Sequence, residues 1–428
     1  MLTPPETLQR YAEGRVAKGD MSAKAAAKFP EKPAAARVAD EFGKTCGNLG
    51  ILLAMAAILG EAMLLSGAAE AIAAALLRVM GAARAHWAFF IASFFLTIPV
   101  FFETTFYLLS PLTKAVARKT GRDYLLLVMC TVAGGTITHS LVPPTPGPLF
   151  VAGELGVPLG LMMGMGCVIG MGAALAGSAF ALWSNRRRVL EVPAHDAAAV
   201  EEAPHRALPP LALSLVPVTL PIFLIALSAW LNSPKPAPGW FGAATRMLGE
   251  KEMALTLGAC IALLILARQR DRLAASKAVQ AALGSGATLL LIIAAGGALR
   301  QTGIADMLGS ALVGTHLVAL PALFLITTLV RTAQGSATVA MITAAPIAKA
   351  LIDGGAAHVN PVYFAIAIGC GSKPFPWMND AGFWIITRLS GLRESETLRT
   401  ISPMMSLQGV AGLVLTMLAA WLWPMTSQ

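Results

Sequence analysis

The sequence predicts an all-α polytopic membrane protein, and three observations carry that prediction. Of 428 residues, 56% are hydrophobic and only 13% are charged. Residues 155–185, 207–234 and 401–428 carry no charged side chain, and each run exceeds the roughly 20 residues a helix needs to cross a bilayer. One membrane-type pattern also occurs twice, with copies at Gly60 and Gly296. A β-barrel would instead alternate at period two over segments of about ten residues.

The repeat extends through each half. GEAMLLSGAAE at 60–70 is answered by GGALRQTGIAD at 296–306, and Pro111 and Lys114 by Pro346 and Lys349. Each copy ends in an apolar run broken by Gly, Pro and polar residues, at 139–148 in the first and 372–382 in the second. Paired, interrupted hydrophobic segments in two halves of a membrane protein point to a transporter's binding site.

Along the chain, the first apolar segment is 49–65. The second, 86–109, is interrupted near 99–105. Segment 124–142 leads into a proline cluster and 155–183 leads out of it. Residues 185–206 form a charged, polar loop. Two further spans follow at 211–231 and 253–267, the second short enough to thin the bilayer locally. Residues 269–284 read as an amphipathic connector. The second half repeats with 287–299, 317–330, 339–351, 361–368 and an interrupted stretch to 387. The last span, 402–423, carries Trp421 and Trp423 as interfacial anchors.

These segments divide the chain into a polar arm (1–44), a first transmembrane repeat (45–185), a charged loop (186–206) and a second repeat (207–424). The arm has no apolar core of the signal-peptide kind. It also occupies the place that two spans hold before the second repeat, so the first repeat is expected to lack its leading helix pair. A truncated reading frame and a divergent variant with a polar arm both fit that gap.

The net charge of +9 lies in short loops, at Lys114, Arg118, Lys119 and Arg122, at Arg186, Arg187 and Arg188, and at Arg268, Arg270, Arg272 and Lys277. That is the distribution by which loop cations orient membrane proteins, so no nucleic-acid partner is expected; the bilayer is. The five cysteines are scattered without metal or redox spacing. No P-loop, zinc-type His-Glu-x-x-His or Gly-x-Ser-x-Gly elbow is present. Neither a cofactor nor an enzyme activity is expected.

Four constellations carry chemistry. Glu103 lies in the apolar stretch 97–105, where an ionisable side chain is costly and functional by default; its bland alternative is a helix-capping carboxylate or a partner of Lys114. His139 precedes Pro143, Pro144, Thr145, Pro146, Gly147 and Pro148. Four prolines in six residues cannot continue a helix, and such backbone survives in a bilayer only where it lines a cavity or packs in protein. His139 could relay a proton or be a satisfied neutral histidine. In 331–338, Arg331 and Gln334 precede a small, hydroxyl-rich stretch that opens a helix near Ser336, with Thr338 inside it. A helix start suits a carboxylate ligand, although small residues also serve close packing. Finally Lys373, Asn379 and Asp380 fall between apolar runs. Asp380 could accept a proton or a sugar hydroxyl, and Lys373 could pair with Asp380 or with an anionic ligand.

Taken in order, Phe102-Glu103, His139 with the proline cluster, Gln334 to Ala340 and Asn379 to Trp384 resemble the gluconate permease family, the gluconate:proton symporters of the ion transporter superfamily. The resemblance runs from about Phe42 to Trp423. It implies a bacterial cytoplasmic-membrane symporter for a sugar-acid anion and protons. It further implies two inverted repeats, each with a re-entrant broken-helix hairpin, in a homodimer. On that reading Ser336, Thr338, Pro144, Thr145 and Gly147 hold the carboxylate, Gln334 and Lys373 flank it, Asn379 and Asp380 bind hydroxyls, and Glu103 and His139 couple protons. This chain departs from the family pattern at Thr145 and at Trp377, where the family commonly has His, and Lys373 is unusual. A sodium-coupled carboxylate carrier and a transport-inactive sensor or assembly protein are the alternatives.

Overall fold

The computed structural model describes residues 31–187, 208–231, 239–298, 319–353 and 359–425, with Gln9 and Ala27 besides. Among these residues the secondary structure is helical throughout, and seven helices are long and apolar enough to cross a membrane, or up to eight if one bent pair counts as a span. Most of the arm, most of the charged loop and residues 299–306 of the second repeat copy lie outside the described residues. So does the question of a missing leading helix pair.

The first half begins with α1 (Ala34–Ser66), so the last residues of the expected polar arm are already helical. Gly67, at φ 79°, ends α1 in the left-handed conformation that glycine adopts without steric cost. The bent pair follows: α2 (Ala68–Met80) and α3 (Ala85–Leu96) meet at 111° across Gly81. The chain breaks again around Pro99, and α4 (Phe102–Thr120) starts there. Next come α5 (Tyr124–Leu141), α6 (Pro146–Leu155) and α7 (Leu159–Asn185). Helix α5 stops at Val142 because the two prolines after it supply no N–H and disfavour helical backbone before them. Pro146 then opens α6, in the first turn, where a missing N–H breaks no intrahelical bond.

The linking pair α8 (Leu211–Leu231) and α10 (Lys251–Gln269) is joined through a short α9 (Gly239–Leu248). The second half contains α11 (Arg272–Ala298), α12 (Ala319–Gln334), α13 (Ala337–Asp353), α14 (Pro361–Gly371), α15 (Ala381–Ser390) and α16 (Glu394–Leu422). One expectation is corrected here. Residues 269–284 are no separate connector, because α11 runs unbroken through Gly284 and Gly286. Glycine costs a transmembrane helix little where it admits a neighbour, and a Cβ on Gly286 would meet Ala57 of α1 at 3.5 Å.

Among the described residues, three helices of each half start at matching intervals. Helices α4, α6 and α7 start at 102, 146 and 159; α13, α15 and α16 start at 337, 381 and 394. Packing is reciprocal: α4 lies against α15 and α6 against α13, while α7 meets α16 and α1 meets α11. At the centre are α5 and α14, whose residues are almost entirely buried. Large apolar side chains on the periphery stay exposed, such as Val168, Leu329 and Trp421, as a lipid-facing surface requires.

Candidate functional site

Three helix starts converge on one cavity of about 130 Å³. That is room for about four water molecules at roughly 30 Å³ each. Phe102 and Glu103 bring the start of α4; Gly335, Ser336, Ala337 and Thr338 the start of α13; Asp380, Ala381 and Gly382 the start of α15. Each start presents backbone N–H groups that have no partner within their own helix, and a partial positive charge. Sequence produces each one locally. Pro99 breaks the chain before α4. Gly335, at φ 74°, makes the turn between α12 and α13. Asp380 caps α15, its carboxylate accepting from the Gly382 N–H at 2.8 Å. Ser336 does the same for α13, its Oγ accepting from Val339 N at 3.3 Å.

Side chains of both signs complete the wall. Arg331 near the end of α12 is 3% exposed and forms an ion pair with Asp380. Its Nε also donates to the Ser372 carbonyl at 3.0 Å. Lys373, 2% exposed, donates from Nζ to the Thr136 carbonyl of α5 at 2.6 Å. Of the two partners considered for Lys373, Asp380 is not the one it bonds: the planar guanidinium of Arg331 takes that carboxylate, and Lys373 reaches across to α5. His139 sits within electrostatic range of Glu103 and Lys373, and its Nδ1 is buried without a hydrogen-bond partner. The formal charges of Arg331 and Lys373 balance those of Glu103 and Asp380.

Of the residues expected at a site, Glu103, His139, Ser336, Thr338, Lys373 and Asp380 line this cavity together. Five others lie elsewhere. Pro144 lines a separate apolar crevice with Pro99 and Pro217. Thr145 is buried, its hydroxyl donating to the Val142 carbonyl at 2.7 Å. Gly147 is where α6 meets α13, since a Cβ there would fall 1.9 Å from Met341 Cε. Gln334 is exposed at the end of α12. Asn379 is exposed too, and its amide donates to the Thr332 and Ala333 carbonyls at 2.9 and 3.3 Å. Trp377 Nε1 donates to the same Thr332 carbonyl at 2.9 Å. Together they satisfy carbonyls that the end of α12 leaves without intrahelical partners.

Sequence reasoning undervalued Arg331, which it treated only as a neighbour of the hydroxyl-rich stretch. The signal was there: an arginine in an apolar helix is as costly as a glutamate and is functional by the same default. Glu103 has a further property. It also lines a second, shallower opening of about 480 Å³ with Leu64, Thr104, Tyr107, Trp384 and Arg388, and so stands between two spaces. Among the described residues, no three His, Cys, Asp or Glu side chains gather as a metal ion would need.

Comparison with known proteins places these features in a family. Residues 22–422 match the GntP family permease. The chain is 34% identical over 391 residues to a gluconate permease of Pseudomonas aeruginosa, covering 89% of this chain and 86% of the relative. It is 30% identical to a low-affinity gluconate transporter of Escherichia coli K12, covering 91% and 89%. A Gnt-II system L-idonate transporter of that organism is 29% identical, covering 87% and 85%. Among solved structures, the YdaH transporter of Alcanivorax borkumensis superposes with a TM-score of 0.63 at 14% identity, covering 91% of this chain and 89% of that one. MtrF of Neisseria gonorrhoeae superposes with a TM-score of 0.67 at 16% identity, covering 92% and 84%.

Proposed function

Because the chain belongs to the GntP family of permeases, a multi-pass membrane transporter family for gluconate-type substrates, we propose that it takes up a sugar-acid anion together with protons across the bacterial cytoplasmic membrane. The observation that carries this reading is the cavity, where three helix starts, two cations and two carboxylates meet in the interior of an apolar protein.

The starts of α13 and α15 offer N–H donors and partial positive charge to a carboxylate. Ser336 and Thr338 add hydroxyls, and Lys373 adds a cation. Asp380 accepts hydrogen bonds from substrate hydroxyls, so that an acid bearing several hydroxyls matches the mixed polarity of the wall. A monoanion entering a charge-balanced cavity leaves one uncompensated negative charge, and a proton on Glu103 or His139 removes it. Glu103 suits that role because it faces both the cavity and the second opening. Proton and substrate then reach the cavity by different routes.

The matched element starts and reciprocal packing support two repeats of opposite orientation, 45–185 and 207–424, each with a broken hairpin, at 124–155 and 361–390. Alternating access would come from these hairpins moving against the remaining helices, in a homodimer as the family resemblance implies. Uptake of labelled gluconate into proteoliposomes under an inward proton gradient tests the coupling. Replacing sodium by potassium on both sides is expected to leave uptake unchanged; uptake that vanishes without sodium would exclude proton coupling in favour of sodium.

A further inference from the structure

We infer that Arg331 is the anchor for the substrate's carboxylate, an assignment that rests on the sugar-acid reading above. The guanidinium carries five N–H donors in a fixed fork and accepts nothing. Its Nε is committed to the Ser372 carbonyl and its Nη2 to Asp380. Its Nη1 is buried and has no partner. A buried charged donor without an acceptor is unfavourable, and native structures keep such groups where a ligand or a moving part will satisfy them. Arg331 lines the cavity together with the starts of α13 and α15, whose N–H groups favour the same kind of ligand. An acceptor-only group, a carboxylate, fits the unpartnered Nη1 better than a hydroxyl does, because the hydrogen bond is then charged on both sides.

The placement also has a mechanical consequence. Arg331 ties α12 to the break between α14 and α15 through Ser372, and to the N-cap of α15 through Asp380. A carboxylate arriving at Nη1 competes with Asp380 for the same cation. Loading the anchor therefore loosens the tie that holds the second hairpin, which is the part expected to move. Lys373, held by Thr136 on α5, supplies charge without a fork and cannot replace the anchor in geometry.

The test compares D-gluconate with D-gluconamide, its neutral amide, as competitors for labelled gluconate on purified full-length protein. Wild type is expected to prefer the acid by about tenfold or more. Arg331→Gln is expected to bring the ratio close to one, and Arg331→Lys to keep a preference with about tenfold weaker binding. Asp380→Asn, which frees a second donor of the fork, is expected to retain or raise the preference. Since Arg331→Gln strands the Asp380 charge, the double variant Arg331→Gln/Asp380→Asn repeats the measurement in a neutral setting, again with a ratio near one. Preference for the acid surviving in either Arg331→Gln protein would overturn the anchor while leaving the sugar-acid reading intact. Wild type that binds no sugar acid would instead remove the reading on which the anchor depends.

Discussion

An amide has nearly the shape of a carboxylic acid but cannot carry its proton. Glu103→Gln should therefore separate coupling from binding. Proton-driven accumulation of gluconate is expected to fall at least tenfold, while gluconate-for-gluconate exchange persists; both are read in the same proteoliposomes. The equal loss of both would make Glu103 structural. Glu103, His139, Lys373 and Asp380 were legible in the sequence because ionisable groups in apolar surroundings are conspicuous. Their partners were not. Arg331 meets Asp380 across 49 residues, and Asn379 reaches carbonyls 46 and 47 residues away. Nothing in local spacing shows that one asparagine caps a helix end while its neighbouring aspartate faces a cavity.

At the level of elements, the hairpin helices approach their neighbours closely at glycines. A Cβ on Gly166 of α7 would lie 2.2 Å from the Leu141 carbonyl oxygen, and one on Gly134 of α5 would lie 2.3 Å from the Phe90 carbonyl oxygen. Backbone cannot retreat as a flexible side chain does, so Gly166→Ala and Gly134→Ala are each expected to destabilise by about 1–3 kcal/mol. The readout is a lowered melting temperature in detergent. Gly153→Ala meets nothing within 4 Å and serves as the control, with no loss expected. Gly335→Ala combines a positive φ with a Cβ 2.2 Å from the Asn379 carbonyl oxygen. It should displace the start of α13 and weaken gluconate binding more than tenfold, as measured by equilibrium binding. The breaks at 97–101 and 142–145 were readable from prolines. The continuity of α11 was not, because the polar, amphipathic residues of its first turns read as a connector although the helix runs on into the apolar stretch.

Across the whole molecule, two halves share an order of elements and divide the chemistry between them. The first supplies Glu103, Thr136 and His139; the second supplies Arg331, Ser336, Thr338, Lys373 and Asp380. The spacing shared by the helix starts of the two halves was legible in the paired sequence motifs. How the halves meet was not, since the exchange of α6 and α15 between opposite partners α13 and α4 is a tertiary fact. For the symport proposed above, the first half would carry the proton groups, Glu103 and His139, and the second the groups that meet the anion. The most direct measurement is of proton movement itself. Proteoliposomes holding a pH-sensitive dye receive external gluconate with no imposed gradient. The expected result is internal acidification with wild type and none with Glu103→Gln. Gluconate entering wild-type vesicles with no change in internal pH would contradict the account.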